Sequence, residues 1–211
     1  MTEKYQTTQE AFWAGEFGNQ YIERNMGDQM LSHNIHFFRD AFRHVTQTCS
    51  IIEFGANVGM NLKALQHLYP EIELYGVEIN AQAAQELASV IPKSHIFFQS
   101  LLEFKSKQTW DMVLIKTVLI HIAPEYLPHV YESIYLSAKR YIFLAEYYNP
   151  SPVQIPYRGH HDRLYKRDFA GELMEKYPAL KLVDYGFAYH RDTDKSQDDV
   201  TWFLLEKQMD C

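Results

Sequence analysis

The chain is predicted to fold as a doubly wound α/β layer. The expected core is a mostly parallel, seven-stranded sheet, with an antiparallel C-terminal hairpin and a helical N-terminal arm. Three observations predict this. From residue 50 to residue 146, continuous apolar runs alternate with helical stretches, the pattern of parallel strands covered on both faces. The stretch IIEFGANVGMN, Ile51 to Asn61, passes from an apolar strand through two glycines into an amphipathic run. The last two apolar runs, LKLVDYGFAYH and VTWFLLEK, are joined by the polar turn RDTDKSQDD, which suits a hairpin added to the sheet edge.

Taken in order, TTQEAFWAGEFGNQYIERN reads as two short helical runs about a glycine-punctuated turn at Gly15 to Gly18. Leu31, Ile35, Phe38 and Phe42 then recur at helical spacing. SIIEF is a strand and MNLKALQHLY a helix with Leu62, Leu65 and Leu68 or Tyr69 inward. ELYGVEI is the second strand, AQAAQELASVI an Ala-rich helix, HIFFQS the third strand and DMVLIK the fourth. Pro124 opens a further helix, where its missing N–H costs nothing, with Leu127, Val130, Tyr131 and Ile134 inward. RYIFLAE is the fifth strand. YYNPSPVQIPYRGHHDR, with three prolines, is too long for a plain connector, and RDFAGELMEKY is the last helix.

Composition narrows the function classes. A chain of 211 residues with 46% hydrophobic residues is large enough to bury a core without staples. A net charge of −7 with no basic stripe speaks against a broad grip on nucleic acid. Two cysteines, Cys49 and Cys211, supply neither a disulfide framework nor a zinc site. MTEKYQTTQEAFW has neither a signal-peptide core nor a transit-peptide composition, and no apolar run approaches a membrane span, so a cytoplasmic setting is expected. The 15 Tyr and 13 Phe suit a protein that shapes a pocket from amphipathic rings.

In an open parallel sheet the ligand crevice lies beyond the carboxyl ends of the strands. Gly55 permits a tight turn there, and Gly59 lets the next helix start close to the ligand. Asn57 stands where a second glycine would admit a pyrophosphate, and no Walker lysine is present, so neither phosphate-binding pattern applies. In LYGVEIN, Glu78 falls at the tip of the following strand, where a carboxylate accepts from both hydroxyls of one ribose. Loop and acid together indicate a nucleoside site without a diphosphate. The alternative for the glycines alone is mere turn geometry.

EFGANVGMN followed by GVEIN resembles motif I and the following acid of class I S-adenosylmethionine-dependent methyltransferases, over about residues 50 to 146. WDMVLIKTVLIHI resembles their fourth strand and its exit. FWAGEFGNQYIERN, LIKTVLIHI and EYYNP resemble the family named for pseudaminic acid biosynthesis-associated methylases, over most of the chain. The resemblance implies a single methyltransferase domain over 1–211. Its parts are an arm or lid at 1–48, a cofactor-binding core at 49–146, and an acceptor-binding insert, last helix and hairpin at 147–211. It implies S-adenosyl-L-methionine as cofactor, with S-adenosyl-L-homocysteine as product. The acceptor would be an O or N of a small molecule, of the sugar, nucleotide-sugar or nonulosonate-acid type.

On this resemblance Glu53, Gly55, Asn57, Gly59 and Asn61 shape the floor under the methionine portion. Glu53 either binds its ammonium or organises the loop. Glu78 holds the ribose and Ile79 packs on the adenine, which Ser100 and Leu101 border. An acid common near there in relatives is missing from FFQSLLEF. Lys116 orients a cofactor or substrate carboxylate, or is a solvated strand end. Phe12, Trp13, Phe17 and Tyr21 form an aromatic cover, or simply pack, with Arg24 available to the cofactor carboxylate. His121, beside Pro124, is a base toward an acceptor hydroxyl or a structural residue at a helix entrance. Tyr157, His160 and His161 are further catalytic candidates, and Glu146, Tyr147, Arg158 and Arg163 acceptor contacts, the arginines pairing with an acidic substrate. A metal held by His160, His161 and Asp162 is the lesser reading, since adjacent histidines seldom point at one ion. A cofactor-binding regulatory module and a methyltransferase of protein or RNA are the alternatives. A nicotinamide oxidoreductase is disfavoured by the missing Gly-x-Gly-x-x-Gly.

Overall fold

The structure, a computed structural model, describes residues 5–24, 27–157, 159 and 163–208, without the side chains of 23 and 24. The arm consists of α1 (Thr8–Ala14) and α2 (Glu16–Arg24), followed by α3 (Asp28–Ala41). The alternating region then runs β1 (Ser50–Phe54), α4 (Met60–Leu68), β2 (Glu73–Glu78), α5 (Ala81–Leu87), β3 (Ile96–Phe98) and β4 (Trp110–Lys116). After β4 come α6 (Leu127–Ser137), β5 (Ala138–Glu146), the short strands β6 (Val153–Gln154) and β7 (Tyr165–Lys166), α7 (Phe169–Lys176), β8 (Leu180–Ala188) and β9 (Val200–Lys207).

The sheet has seven strands in the order β3-β2-β1-β4-β5-β9-β8. Pairs from β3 to β5 are parallel, and β9 is antiparallel to both β5 and β8. The expected hairpin therefore forms the sheet edge. The order reverses between β1 and β4, so the crevice at their carboxyl ends is the switch point of the doubly wound sheet. Alternate residues of each strand enter opposite layers. Ile52, Val113 and Ile142 face α6 and α7, whereas Ile51, Met112 and Tyr141 face α3 and α4. Both layers are apolar because parallel strands here have no solvated face.

Three local expectations are corrected. The arm breaks at Gly15 alone, and Gly18 lies inside α2. A side chain at Gly18 would collide with the Trp13 carbonyl oxygen, so glycine there serves close packing of α1 on α2 rather than a turn. Pro124 opens a single 3-10 turn, Pro124–Tyr126, before α6 begins at Leu127. The proline-rich insert supplies β6, which pairs antiparallel with β7 just beyond its end, a ribbon that composition concealed because each strand has two residues.

Candidate active site

The turn after β1 alternates left-handed residues: Gly55, Asn57 and Gly59 have φ of 76°, 47° and 82°. Glycine takes this conformation freely and asparagine tolerates it. The amides of Gly55 and Ala56 both donate to the Val77 carbonyl, at 2.9 and 3.0 Å, fastening the turn to the end of β2. Beside that fastening stands Glu78. Its Oε2 accepts from the Asn57 amide at 2.7 Å and its Oε1 from the Asn80 amide at 2.7 Å. A carboxylate accepts at about four sites, so Glu78 keeps acceptor capacity for a ligand. Burial raises the Glu78 pKa, and the backbone donors of Asn80, Asn57 and Ile79 oppose the rise.

Above this floor lies a cavity of about 700 Å³, within the range of small-ligand sites. Glu78, Ile79, Ser100 and Leu101 line one end, Trp13, Gly18 and Tyr21 the arm side, and Lys116, Thr117 and His121 the exit of β4. The far wall comes from Asn34 of α3 and from Gln197 and Asp198 of the β8–β9 turn. Beneath it runs a polar chain. Asn61 Nδ2 donates to Glu53 Oε1 at 2.6 Å, Asn34 Nδ2 to Asn61 Oδ1 at 3.1 Å, and Gln197 Nε2 to Asn34 Oδ1 at 3.1 Å. Glu53 is 1% exposed and its Oε2 lacks a hydrogen bond. Burial lifts its pKa to about 8, against the pull of Asn61 and Lys116. Lys116 sits deep among Glu53, Asp198 and Glu146 but opens to the cavity; burial lowers its pKa and these carboxylates raise it.

The exit of β4 is strained. Thr117 has φ of 56°, an outlier for a β-branched residue, and its amide donates to the Ala145 carbonyl at 2.9 Å. Glu146 holds the next turn. Its Oε1 accepts from the Val118 and Leu119 amides at 2.9 Å each, and its Oε2 from Ile120 at 3.4 Å. Burial nevertheless carries its pKa up to about 7. That turn presents His121, whose Nδ1 lies 2.7 Å from the Arg163 carbonyl. A carbonyl only accepts, so Nδ1 carries the proton and Nε2 the lone pair. Burial depresses the His121 pKa to about 4, keeping the ring neutral. Trp13 covers it, with ring centroids 4.6 Å apart.

The arm is fastened beside Glu78. Asn80 Nδ2 donates to the Trp13 carbonyl at 3.1 Å and to Asn19 Oδ1 at 2.8 Å, while its Oδ1 caps α5 through the Ala83 amide at 2.9 Å. Phe12 stacks on Phe17 at 4.0 Å, and Trp13 meets Phe17 and Tyr21 edge-on at 5.3 and 5.2 Å.

No family pattern matches the chain, and no curated protein does. Solved structures do match. The plantazolicin methyltransferase BpumL in complex with SAH superposes with a TM-score of 0.64 at 12% identity, over 95% of this chain and 94% of that one. The magnesium protoporphyrin IX methyltransferase of Synechocystis PCC 6803 with bound SAH gives 0.65 at 13% identity, over 94% of this chain and 98% of that one. The mitomycin 7-O-methyltransferase MmcR gives 0.65 at 13% identity, over 96% of this chain and 61% of that one. The chain has the fold of these methyltransferases.

The residues anticipated for a cofactor fall together. Trp13, Tyr21, Gly55, Asn57, Asn61, Glu78, Ile79, Ser100, Leu101 and Lys116 all line the one cavity, with His121 beside them. Gly59 and Glu53, anticipated with them, do not line it: the side-chain position of Gly59 faces Leu87 and Val90, and Glu53 is joined to the wall through Asn61. The anticipated acceptor contacts are placed differently. Glu146 is turned into the β4 exit, and Tyr147 packs against both cores with Lys166 Nζ 5.2 Å from its ring. Neither lines the cavity, since Glu146 is engaged by the β4-exit amides and Tyr147 by the packing of the cores. Tyr157 reaches only its rim, 5.3 Å from His121. Arg163 donates to Thr8 Oγ1 at 2.9 Å and lies 5.2 Å over the Phe12 ring, so it fastens the arm. The side chain of Arg24, and all of Arg158, His160, His161 and Asp162, lie outside the described residues. Among the described residues no cluster of three metal-ligating side chains occurs, and no helix is long and apolar enough to cross a membrane. Sequence reasoning missed Glu10, Asn34, Asn80, Thr117, Gln197 and Asp198, all of which line the cavity.

Proposed function

We propose that the protein is an S-adenosyl-L-methionine-dependent methyltransferase, releasing S-adenosyl-L-homocysteine and acting on an oxygen or nitrogen of a small molecule. The observation that carries this reading is the Glu78 carboxylate, pinned by the amides of Asn57 and Asn80 and open to a cavity whose entrance loop has no phosphate cradle. Glu78 grips the ribose hydroxyls. Lys116 takes the carboxylate of the amino-acid tail, and Glu53, held through Asn61 of the cavity wall and with one oxygen unpartnered, is the acid proposed for its ammonium. The fold shared with structures bearing SAH supports the choice of cofactor.

Transfer from a sulfonium is an in-line displacement: the acceptor lone pair forms the new bond to carbon as the carbon–sulfur bond breaks and its electrons stay on sulfur. The protein supplies orientation and removes one proton from a hydroxyl or ammonium acceptor. His121 suits that task, being neutral, held by the Arg163 carbonyl and presenting Nε2 as acceptor. The aromatic arm excludes water from the sulfonium. A sugar, nucleotide-sugar or nonulosonate-type acceptor is the finer proposal, and it rests on the sequence resemblance.

The test is transfer of labelled methyl from S-adenosyl-L-methionine to a panel of sugars, nucleotide sugars and sugar acids, with peptides and RNA as comparison. Turnover on a sugar-type acceptor, lost in His121→Ala, is expected. Turnover confined to peptide or RNA would overturn the acceptor class, and cofactor binding without turnover on any acceptor would favour a regulatory module.

A further inference from the structure

The loop after β3 brings no acid of its own to the cavity, yet a carboxylate is there. It belongs to Glu10 of α1, ninety positions away in the chain from the serine it meets. Glu10 is 8% exposed and lines the cavity. Its Oε2 accepts from the amides of Gln6 and Thr7, at 2.6 and 2.9 Å, while Thr7 Oγ1 accepts from the Glu10 amide at 3.0 Å, a reciprocal cap on α1. Its Oε1 accepts from the hydroxyl of Ser100, which in turn accepts from the Leu102 amide at 3.0 Å. The second lone pair of Oε1 is thus left for a ligand.

What that ligand atom is follows from topology, granted the nucleoside reading above. The tail of the cofactor lies at the switch point between β1 and β4, near Glu53 and Lys116, and the ribose at the tip of β2. A molecule laid out as tail, ribose and base then extends its base outward along the sheet edge, over the tip of β3. Glu10 and the β3-loop residues Gln99, Ser100, Leu101 and Leu102 line the cavity there, and Glu10 is the one carboxylate among them. We infer that Glu10 reads the base, its Oε1 accepting a hydrogen bond from the 6-amino group of adenine and rejecting a 6-oxo purine, whose oxygen would face the carboxylate. The base is therefore recognised by the arm rather than by the β3 loop. Recognition requires the arm to be seated, and Asn80, two residues after the ribose acid, holds it there through the Trp13 carbonyl and Asn19. A site built around one hydrogen-bond acceptor discriminates strongly, because the wrong partner leaves a buried charge opposed.

The experiment is calorimetric titration of the full chain with S-adenosyl-L-homocysteine and with its 6-oxo counterpart, S-inosyl-L-homocysteine. The wild-type protein is expected to favour the adenosyl ligand by roughly tenfold to a hundredfold, the range for one hydrogen bond to a charged acceptor. Glu10→Gln, whose amide donates as well as accepts, is expected to level or invert that ratio by binding the inosyl ligand better. Asn19→Ala, which loosens the arm and keeps the carboxylate, is expected to weaken both ligands alike and preserve the ratio. An unchanged ratio in Glu10→Gln, or a ratio that changes in Asn19→Ala as much as in Glu10→Gln, overturns the assignment while leaving the nucleoside site standing. Failure of the wild-type protein to bind either ligand overturns the nucleoside reading, and this assignment with it.

Discussion

Gly18→Ala isolates the contribution of the arm. An added Cβ would stand inside the radius of the Trp13 carbonyl oxygen, 2.9 Å from its carbon and 2.8 Å from Asn80 Nδ2. A backbone oxygen cannot swing aside, so α1 must move away from α2. The same Trp13 carbonyl receives Asn80 Nδ2, and Asn80 also holds Asn19, so both tethers loosen together. At about 1 kcal/mol for each hydrogen bond, the seated arm loses about 2 kcal/mol, or roughly thirtyfold in the affinity of any ligand it closes over. The sheet and its two apolar layers lie elsewhere, so the core melting temperature should move by only about 2 °C. Calorimetry with S-adenosyl-L-homocysteine and hydrogen exchange of residues 8–22 read the two effects. Unchanged affinity with unprotected arm amides would show that the arm does not close over the ligand.

Two titrations give further checks. His121 has a pKa depressed to about 4, so the turnover number should stay flat from pH 8 to pH 6 and fall only toward pH 4; a break near 6.5 would mean that another histidine is the base. The unfolded ring binds its proton at about 6.5, so the same burial should cost stability as pH falls from about 6.5 to about 4, a loss His121→Gln should lessen in denaturant melts. Glu53, raised to about 8, is protonated in the free protein at neutral pH, and pairing with a ligand ammonium would ionise it. Binding of S-adenosyl-L-homocysteine at pH 7 should then release close to one proton, seen as a buffer-dependent heat, and Glu53→Gln should release none. Because the raised pKa favours the protonated folded form, apo stability should fall as pH rises from about 4.5 to about 8; a flat profile would contradict the burial of this carboxylate.

The parts of the fold that sequence revealed were those written in local pattern. Apolar runs such as SIIEF and DMVLIK, set between helical stretches, read as strands hidden on both faces, and Gly55 and Glu78 marked the crevice because their chemistry is tied to strand ends. What stayed hidden was made by distance. Thr7-Thr8-Gln9-Glu10 carries the signature of a helix cap, but a cap uses one oxygen of Glu10, and nothing nearby in sequence says that the other meets Ser100. Gly18 looked like a turn residue because close packing of two helices leaves the same sequence mark as a bend. Gln197 and Asp198 belonged to a stretch read only as polar spacer, yet α3 pulls it over the cavity through Lys195 on Asp40 and Asn34 on Gln197. Glu146 illustrates the opposite failure. An acid at a strand tip suggested a ligand contact, whereas three backbone amides of the β4 exit claim it.

Among all these measurements, one bears on the proposed role of Glu78 directly: titration of wild-type protein and Glu78→Ala with S-adenosyl-L-homocysteine. Removing the carboxylate deletes up to two charge-assisted hydrogen bonds to the ribose, about 3 kcal/mol together, so affinity should drop roughly a hundredfold while the chain stays folded by circular dichroism. Equal affinity in the two proteins would mean that no ribose rests on Glu78.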